Sequence, residues 1–381
     1  MAKTKTPPGG RRFPCEQCGA LVTFVPGSND LACEYCGHRT LIERAAGLII
    51  EYDLREALQW LSTVKPAEQR AATQCESCAA SFNFDHHVHS GECPFCGTPI
   101  VLGTGTDKHI KPKSLLPFLL TEQEAQQSFR RWIGRLWFAP TKVKKYARGE
   151  SRLTGVYVPF WTYDSQTHTG YVGERGDMYT VPQTYTTIEN GRAVRRTRMV
   201  TKIRWTPVRG RVARFFDDIL IGASRSLPRR ITDSLRPWDL QNLTPYNEKY
   251  LSGFQAEIYQ VEVDQGFDMA VEVMDSMIRN DIARDIGGDQ QRIHNVDTRH
   301  SSTTFKHLLL PVWSAGFTFR DKTYRFVVNG RTGKVQGERP YSFWKIAGAA
   351  IAALIAVVIL VAFAEESGLL DTLVSTLGHS F

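Results

Sequence analysis

The chain has 381 residues, 42% hydrophobic and 11% aromatic, with a formal net charge of +8. That length and apolar content exclude a chain without a folded core and leave room for two or three domains. After Ala364 the only charged residues are Glu365, Glu366 and Asp371, so residues 1–364 carry +11, a balance compatible with an anionic membrane surface or with nucleic acid and decisive for neither.

Residues 1–12 are Lys, Arg, Thr, Pro and Gly after Met1-Ala2, with no apolar stretch behind them, which reads as a flexible basic arm rather than a signal peptide. All eight cysteines then fall between Cys15 and Cys96, in two identical arrangements. Cys15-x2-Cys18 is followed after fourteen residues by Cys33-x2-Cys36, and Cys75-x2-Cys78 after fourteen residues by Cys93-x2-Cys96. Such paired knuckles bring four thiolates around a tetrahedral ion, so each set is predicted to hold one structural Zn²⁺ in a zinc ribbon, over 13–43 and 73–102. The spacing is that of a metal site rather than a disulfide framework. Four sulfurs close the coordination sphere and leave no place for a reacting water. Asp85-His86-His87-Val88-His89, between the knuckles of the second set, reads as an exposed polar loop because that metal already has its ligands. Between the ribbons, residues 44–72 carry Leu54, Ala57, Leu58 and Leu61 at helical spacing behind Asp53, a helix with its N-cap.

Gly103 to Lys108 lacks both a preceding strand and a following Gly-Lys-Ser/Thr, and reads as a linker. Thr121-Glu122-Gln123-Glu124 is a capping box that opens a helix to about Trp137, with Phe129, Trp132, Ile133 and Leu136 on one face. From Leu153 the pattern alternates and strands dominate, including Tyr157–Tyr163. Met178–Thr187 and Ala193–Trp205 form a hairpin that turns at Asn190-Gly191. A helix is predicted over Asp268–Asp285 from Val271, Met274, Ile278 and Ile282, and strands return over Lys306–Val335. The word Val158-Pro159-Phe160-Trp161 recurs as Leu310-Pro311-Val312-Trp313; these are either matching edges of one sheet, where strand prolines belong, or the starts of two similar halves.

Ile346–Ala364 is nineteen residues without a charged or polar side chain, about 28 Å of helix, enough to cross a bilayer. Arg331, Lys334, Arg339 and Lys345 precede it and no Lys or Arg follows, which orients the N-terminal part toward the cytoplasm of a bacterial inner membrane and leaves 365–381 as a short outer tail. Gly348, Ala352 and Ala356 form a row of small residues that permits close helix contact. The fold class expected is α+β: two tandem ribbons, a mixed domain over about 113–340, and one transmembrane helix at 346–364.

On an extended strand Arg196, Arg198, Lys202 and Arg204 share one face, opposite Thr197, Met199, Ile203 and Trp205. This cationic stripe is open to three readings: a solvated face, a contact with membrane lipid headgroups, or a nucleic-acid contact. The chain has no Gly-x-Ser-x-Gly, no His-Glu-x-x-His, no phosphate loop and no spare cysteine, and Asp217-Asp218 reads as an ion-pairing element, so no enzyme is expected and no small-molecule substrate.

Taken together, the two ribbons, Leu116-Pro117-Phe118, the helix ending at Trp132, Gly155 to Trp161, Leu309 to Trp313, Asn329-Gly330-x-Thr332-Gly333-Lys334-Val335 and the terminal span resemble bacterial two-zinc-ribbon membrane proteins of the YdjG type. The resemblance implies a membrane-anchored, non-enzymatic protein working with PspA-like, phage-shock-type partners. This chain departs from that pattern by a long basic hairpin around 172–215. A likeness to the primosomal replication helicase is confined to the ribbons, of the TFIIB type, and the motor's phosphate loop is missing. The function expected is an adaptor that presents a cytoplasmic docking surface to a protein, the alternative being a membrane-tethered nucleic-acid-binding protein.

Overall fold

The computed structural model describes residues 13–43, 49–63, 73–74, 81–82, 88–92, 99–101, 110–140, 153–189, 192–319, 322–338 and 341–366. The first cysteine segment folds into a three-stranded antiparallel sheet of β1 (Val22–Phe24), β2 (Asp30–Cys33) and β3 (Arg39–Leu41). Alternation sends Val22, Phe24, Leu31 and Cys33 inward. Too small to enclose a core of its own, this sheet docks onto the main body, where Phe24 meets Tyr250 edge-on at 5.1 Å and Ser252 donates its hydroxyl to the Val22 carbonyl at 2.7 Å. Next come β4 (Tyr52–Asp53) and α1 (Leu54–Thr63), whose Glu56 N–H is capped by the Asp53 carboxylate at 2.9 Å as expected. The short strands β5 (Thr73–Gln74) and β6 (Ser81–Phe82) pair with each other, and β7 (Val88–Glu92) with β8 (Pro99–Val101).

The main body consists of two halves with the same order of elements. The first is β9 (Ser114–Leu115), α2 (Glu122–Arg135), β10 (Thr154–Glu189) and β11 (Arg192–Gly222). After a connection containing α3 (Arg229–Ser234) and β12 (Thr244–Pro245), the second is β13 (Gln255–Glu257), α4 (Val263–Ile286), β14 (Gln290–Phe319) and β15 (Lys322–Asn329). Strand β16 (Val335–Gly337) and α5 (Phe343–Glu366) close the chain. β10 and β14 lie side by side and antiparallel at the centre, and the two Pro-x-Trp words face each other there, with Val158 opposite Leu310 and Tyr157 opposite Pro311. On its outer flank β10 runs parallel to β13 at Val156 and Tyr157, then antiparallel to β11 from Phe160. β14 repeats this, parallel to β9 at Leu308 and Leu309 and antiparallel to β15 from Val312.

That arrangement explains the prolines, which sit neither at an edge nor at a bulge but in the two central strands. The carbonyls of Pro159 and Pro311 accept from Ala223 and Gly330 on the outer flank, so the missing N–H of each proline falls on the same flank, in the gap where one neighbour strand gives way to the next. No ladder bond is lost. Each tryptophan of the pair donates its indole N–H to a carbonyl just past the short parallel strand, Trp161 to Val261 at 2.9 Å and Trp313 to Leu120 at 3.0 Å.

The helices cross over between halves. α2 opens with the predicted capping box, Thr121 and Glu124 each bonding the other's backbone N–H, and lays Phe129 flat on Phe326 of β15 at 3.6 Å. α4, anticipated over 268–285 and observed over 263–286, turns Ala270, Met274, Ile278, Ile282 and Ile286 onto β10 and β11. Gly266 in its first turns is required by close approach: a Cβ there meets the Tyr163 hydroxyl at 2.3 Å. β10 is 36 residues long, on the order of 120 Å of strand at about 3.3 Å per residue. β14 accompanies it only as far as Gly176 opposite Gln290, so residues 177–189 and 192–204 continue as a bare two-stranded hairpin. α5 is long and apolar enough to span a membrane, with none of its apolar window buried.

Candidate metal centre and cationic arm

Around the first cysteine set the chain builds the same turn twice. Gly19 N–H donates to the Cys15 carbonyl and Gly37 N–H to the Cys33 carbonyl, both at 2.9 Å. Each glycine follows the second cysteine of its knuckle at a φ of +75°, a conformation that disfavours a side chain. The result brings Cys15, Cys18, Cys33 and Cys36 together, with the Sγ atoms of Cys15 and Cys36 at 3.6 Å and those of Cys18 and Cys33 at 3.5 Å. Disulfide sulfurs stand about 2.05 Å apart, whereas four sulfurs at about 2.3 Å from a tetrahedral Zn²⁺ are about 3.8 Å from one another. The observed spacing is that of the second arrangement.

Charge supports the same conclusion. Backbone N–H groups, that of Cys36 foremost, hold the Cys33 thiol down to about 7. At Cys18 the Ala20 N–H pulls downward too, but the sulfurs of Cys36 and Cys33 push this thiol up to about 12. Four crowded thiols thus cannot all ionise on their own, and a divalent cation relieves that conflict. The donor set is all sulfur and fits a structural metal ion. Cys75, Cys78, Cys93 and Cys96, with Asp85, His86 and His87, lie outside the described residues, as do the linker 103–108 and the tail 367–381. Strands β7 and β8, on either side of Cys93 and Cys96 in the sequence, are described, and β7 joins the main sheet through β13 with Ser90 opposite Ala256.

The cationic stripe lies on the bare hairpin. The register pairs Tyr179 with Lys202, Gln183 with Arg198, Tyr185 with Arg196 and Asp177 with Arg204, and directly paired residues project to the same side. One face therefore carries Arg196, Arg198, Lys202 and Arg204, as the alternation predicted, and tyrosines are set among them. The guanidinium of Arg198 lies 5.4 Å from the Tyr185 ring and that of Arg204 5.8 Å from Tyr179. The other face brings Met178 beside Ile203 and Pro182 beside Met199, with Met199 65% exposed and Ile188 toward the tip 77% exposed. Met199 and Ile203 on this back face follow from alternation, whereas Tyr179 and Tyr185, and Met178 and Pro182 behind them, need the cross-strand register from the Asn-Gly turn.

At the root of the hairpin Asp164 faces Asp217 and Asp218 across a bulge, and the three carboxylates approach within 4.8 Å. Lys306 occupies the place a cation would take, 2.7 Å from Asp218 and 2.9 Å from Glu51, so Asp218 does serve as an ion-pair partner. Burial lowers the lysine's affinity for its proton, but the bonds to Asp218 and Glu51 outweigh it and hold the ammonium above its usual range. Asp164 is buried and accepts the Asp218 N–H at 2.6 Å; burial pushes its carboxyl up to about 6. Glu51 brings the segment after the first cysteine module into this cluster, bonding Thr304 as well as Lys306.

No family model matches the chain, and no solved structure matches it. A curated protein of Bacillus subtilis (strain 168), bearing the name uncharacterized protein YdjG, is 26% identical over 338 residues, which cover 88% of this chain and 92% of that protein. The chain is therefore similar to YdjG over most of its length.

Proposed function

We propose that the chain is a non-enzymatic, single-pass adaptor of a bacterial inner membrane, holding a docking surface on the cytoplasmic side. The observation that carries the reading is the placement of two features at opposite ends of one sheet. The bare hairpin extends from the end where β10 meets β11, and α5 departs from the other, beside the start of β15. A frame of that kind suits holding a partner away from an anchor. Cys15, Cys18, Cys33 and Cys36 hold one structural Zn²⁺ and Cys75, Cys78, Cys93 and Cys96 a second, each stiffening the base rather than reacting. Orientation follows from the basic residues Arg331, Lys334, Arg339 and Lys345 ahead of the span. The partner to which the YdjG-type resemblance points is a membrane-stress or membrane-remodelling protein of the PspA-like kind.

A second reading is supported by the Arg and Lys side chains interleaved with Tyr179 and Tyr185, a pattern suited to nucleic acid. Lipid headgroups fit the stripe less well, since it lies at the far end of the sheet from α5. Affinity capture of the full-length protein from membranes decides between the two. Recovery of a membrane-remodelling protein that is lost when residues 178–203 are removed supports the adaptor. Absence of such a protein, with nucleic-acid binding that weakens steeply as salt is raised, supports the second reading instead.

A further inference from the structure

The apolar helix does not hang from the domain on slack chain. Its first turn is clamped to the loop that follows α2: Ser342 N–H donates to the Phe138 carbonyl at 2.8 Å. The Lys345 ammonium donates to the Ala139 carbonyl at 2.8 Å and to that of Trp137 at 3.4 Å. Clamping leaves a groove of about 1060 Å³ between the last turn of α2 and the flank of α5. Its lining changes character along its length. Arg135, Trp137 and Phe138 line one side, and on the α5 side the lining passes from Lys345 to Ala349 and Ala352.

That gradient parallels the bilayer's own. Ala352 lies seven residues beyond Lys345, about 10 Å further along the helix axis, and so inside the hydrocarbon when Lys345 is at the headgroup level. Trp137, 78% exposed, and Trp344, 82% exposed, flank the clamp where amphipathic rings settle in an interfacial belt. The two alanines open space beside a helix that elsewhere carries Ile351, Leu354 and Ile355. Among the described residues no carboxylate pairs with Arg135 or Lys345, so the charged end of the groove is complementary to an anion.

We infer that this groove holds one anionic phospholipid, with its phosphate and acidic headgroup between Arg135 and Lys345 and an acyl chain along Ala349 and Ala352. The inference rests on the reading of α5 as a membrane span. A lipid so placed fills the angle between α2 and α5 and adds to the clamp in fixing the tilt of the domain over the bilayer.

Native mass spectrometry of the full-length protein, released from micelles doped with phosphatidylglycerol or with phosphatidylcholine of the same chains, tests this. The expected result is about fivefold greater retention of phosphatidylglycerol, the equivalent of about 1 kcal/mol for a basic residue at an anionic surface. Arg135→Glu is expected to bring the two lipids to parity, Arg135→Lys to keep the preference, and Ala352→Trp to lower retention of both. Parity in the unaltered protein, or a preference that Arg135→Glu leaves intact, overturns the assignment. So does displacement of the lipid by inorganic phosphate alone, which marks a simple anion site, or a lipid-free dimer lost in Ala352→Trp, which marks a second copy as the occupant. Alkaline extraction of membranes distinguishes failure of the membrane span from failure of the groove. Release of the chain removes the membrane reading itself, whereas a retained chain without lipid preference removes only the groove.

Discussion

The two halves of the main body share one plan and put it to different ends. Each begins with a short strand that pairs in parallel over two residues, continues into a helix, and ends in a hairpin whose first strand carries the Pro-x-Trp word. In the second half the hairpin is short, with β15 only eight residues long, and the 14-residue α2 suffices to cover it. In the first half the hairpin strands reach 36 and 31 residues, and even the 24-residue α4 leaves their outer part bare. Because the central strands are antiparallel, the two hairpins point to opposite ends of the sheet. Lengthening one of them therefore moves the arm away from α5 without disturbing the core. Elongation at a repeated position is a low-cost way to add a surface, since the pairs beyond Gly176 bury little and owe the fold little.

Metal removal should produce the largest effect and should divide the halves. The first cysteine module packs into the core beneath α2, with Phe118, Phe129, Trp313 and Phe326, and not into the core beneath α4. Cys33→Ser, or chelation, is expected to remove on the order of 10 kcal/mol of local folding free energy. Hydrogen exchange should then speed up at Leu309–Trp313 and Phe326–Val328 while Ala270–Ile282 stays protected. Uniform loss of protection would show that both cores melt as one unit.

The matched tryptophans test the pseudo-symmetry next. Trp161→Phe and Trp313→Phe each leave a carbonyl without its donor, buried at Val261 and part-buried at Leu120, and a small void, at a cost of about 2–3 kcal/mol apiece in denaturant unfolding. Costs that differ by more than about 1 kcal/mol would mean that the two positions are alike in geometry only.

Asp164 has no counterpart in the second half, where the equivalent position is Gly316. Its folded pKa, about 6, lies above the ordinary carboxylate value, so the folded state binds this proton more tightly than the unfolded state. The group's contribution to stability is thus greatest at acid pH and is lost as pH rises through about 6. Asp164→Asn should accordingly gain on the parent by on the order of 1–3 kcal/mol at pH 8 and little at pH 4, read from urea midpoints across pH. A gain of the same size at both pH values would assign the effect to packing.

Removal of Met178–Ile203, with Asp177 and Arg204 rejoined through an Asn-Gly turn, should have the smallest effect on the fold, within about 0.5 kcal/mol. A large loss in Tm would show that the arm braces the sheet.

Legibility in the sequence tracks whether a single local force decides the outcome. The capping box, the Met274–Ile278–Ile282 face and the clustering of Cys15, Cys18, Cys33 and Cys36 are each set by neighbours in the chain, and each is found where expected. The start of β14 was missed. Residues 290–303 run through Arg292, His294, Asn295, Arg299, His300 and Ser301 with both faces largely open, so no apolar alternation marks them as strand. Exchange of helices between halves was equally hidden, because it depends on which hairpin a helix reaches and not on the helix itself. The cationic face of the hairpin was readable from alternation alone, but its tyrosines come from the partner strand and need the register. Packing of the first cysteine module into the main core left no local mark either, since Val22 and Phe24 read the same whether they face a private core or a shared one.

One consequence follows from the open flank of β11, which among the described residues pairs with β10 alone. A long strand with a free edge invites copies of itself to add on, the first step toward aggregation. Nine Arg and Lys residues between Arg192 and Arg214 make that addition a like-charge encounter. Repulsion of this sort is screened over about 8 Å at physiological salt. The purified protein is thus expected to stay dispersed in dilute buffer and to self-associate along this edge when salt or a polyanion cancels the arm's charge.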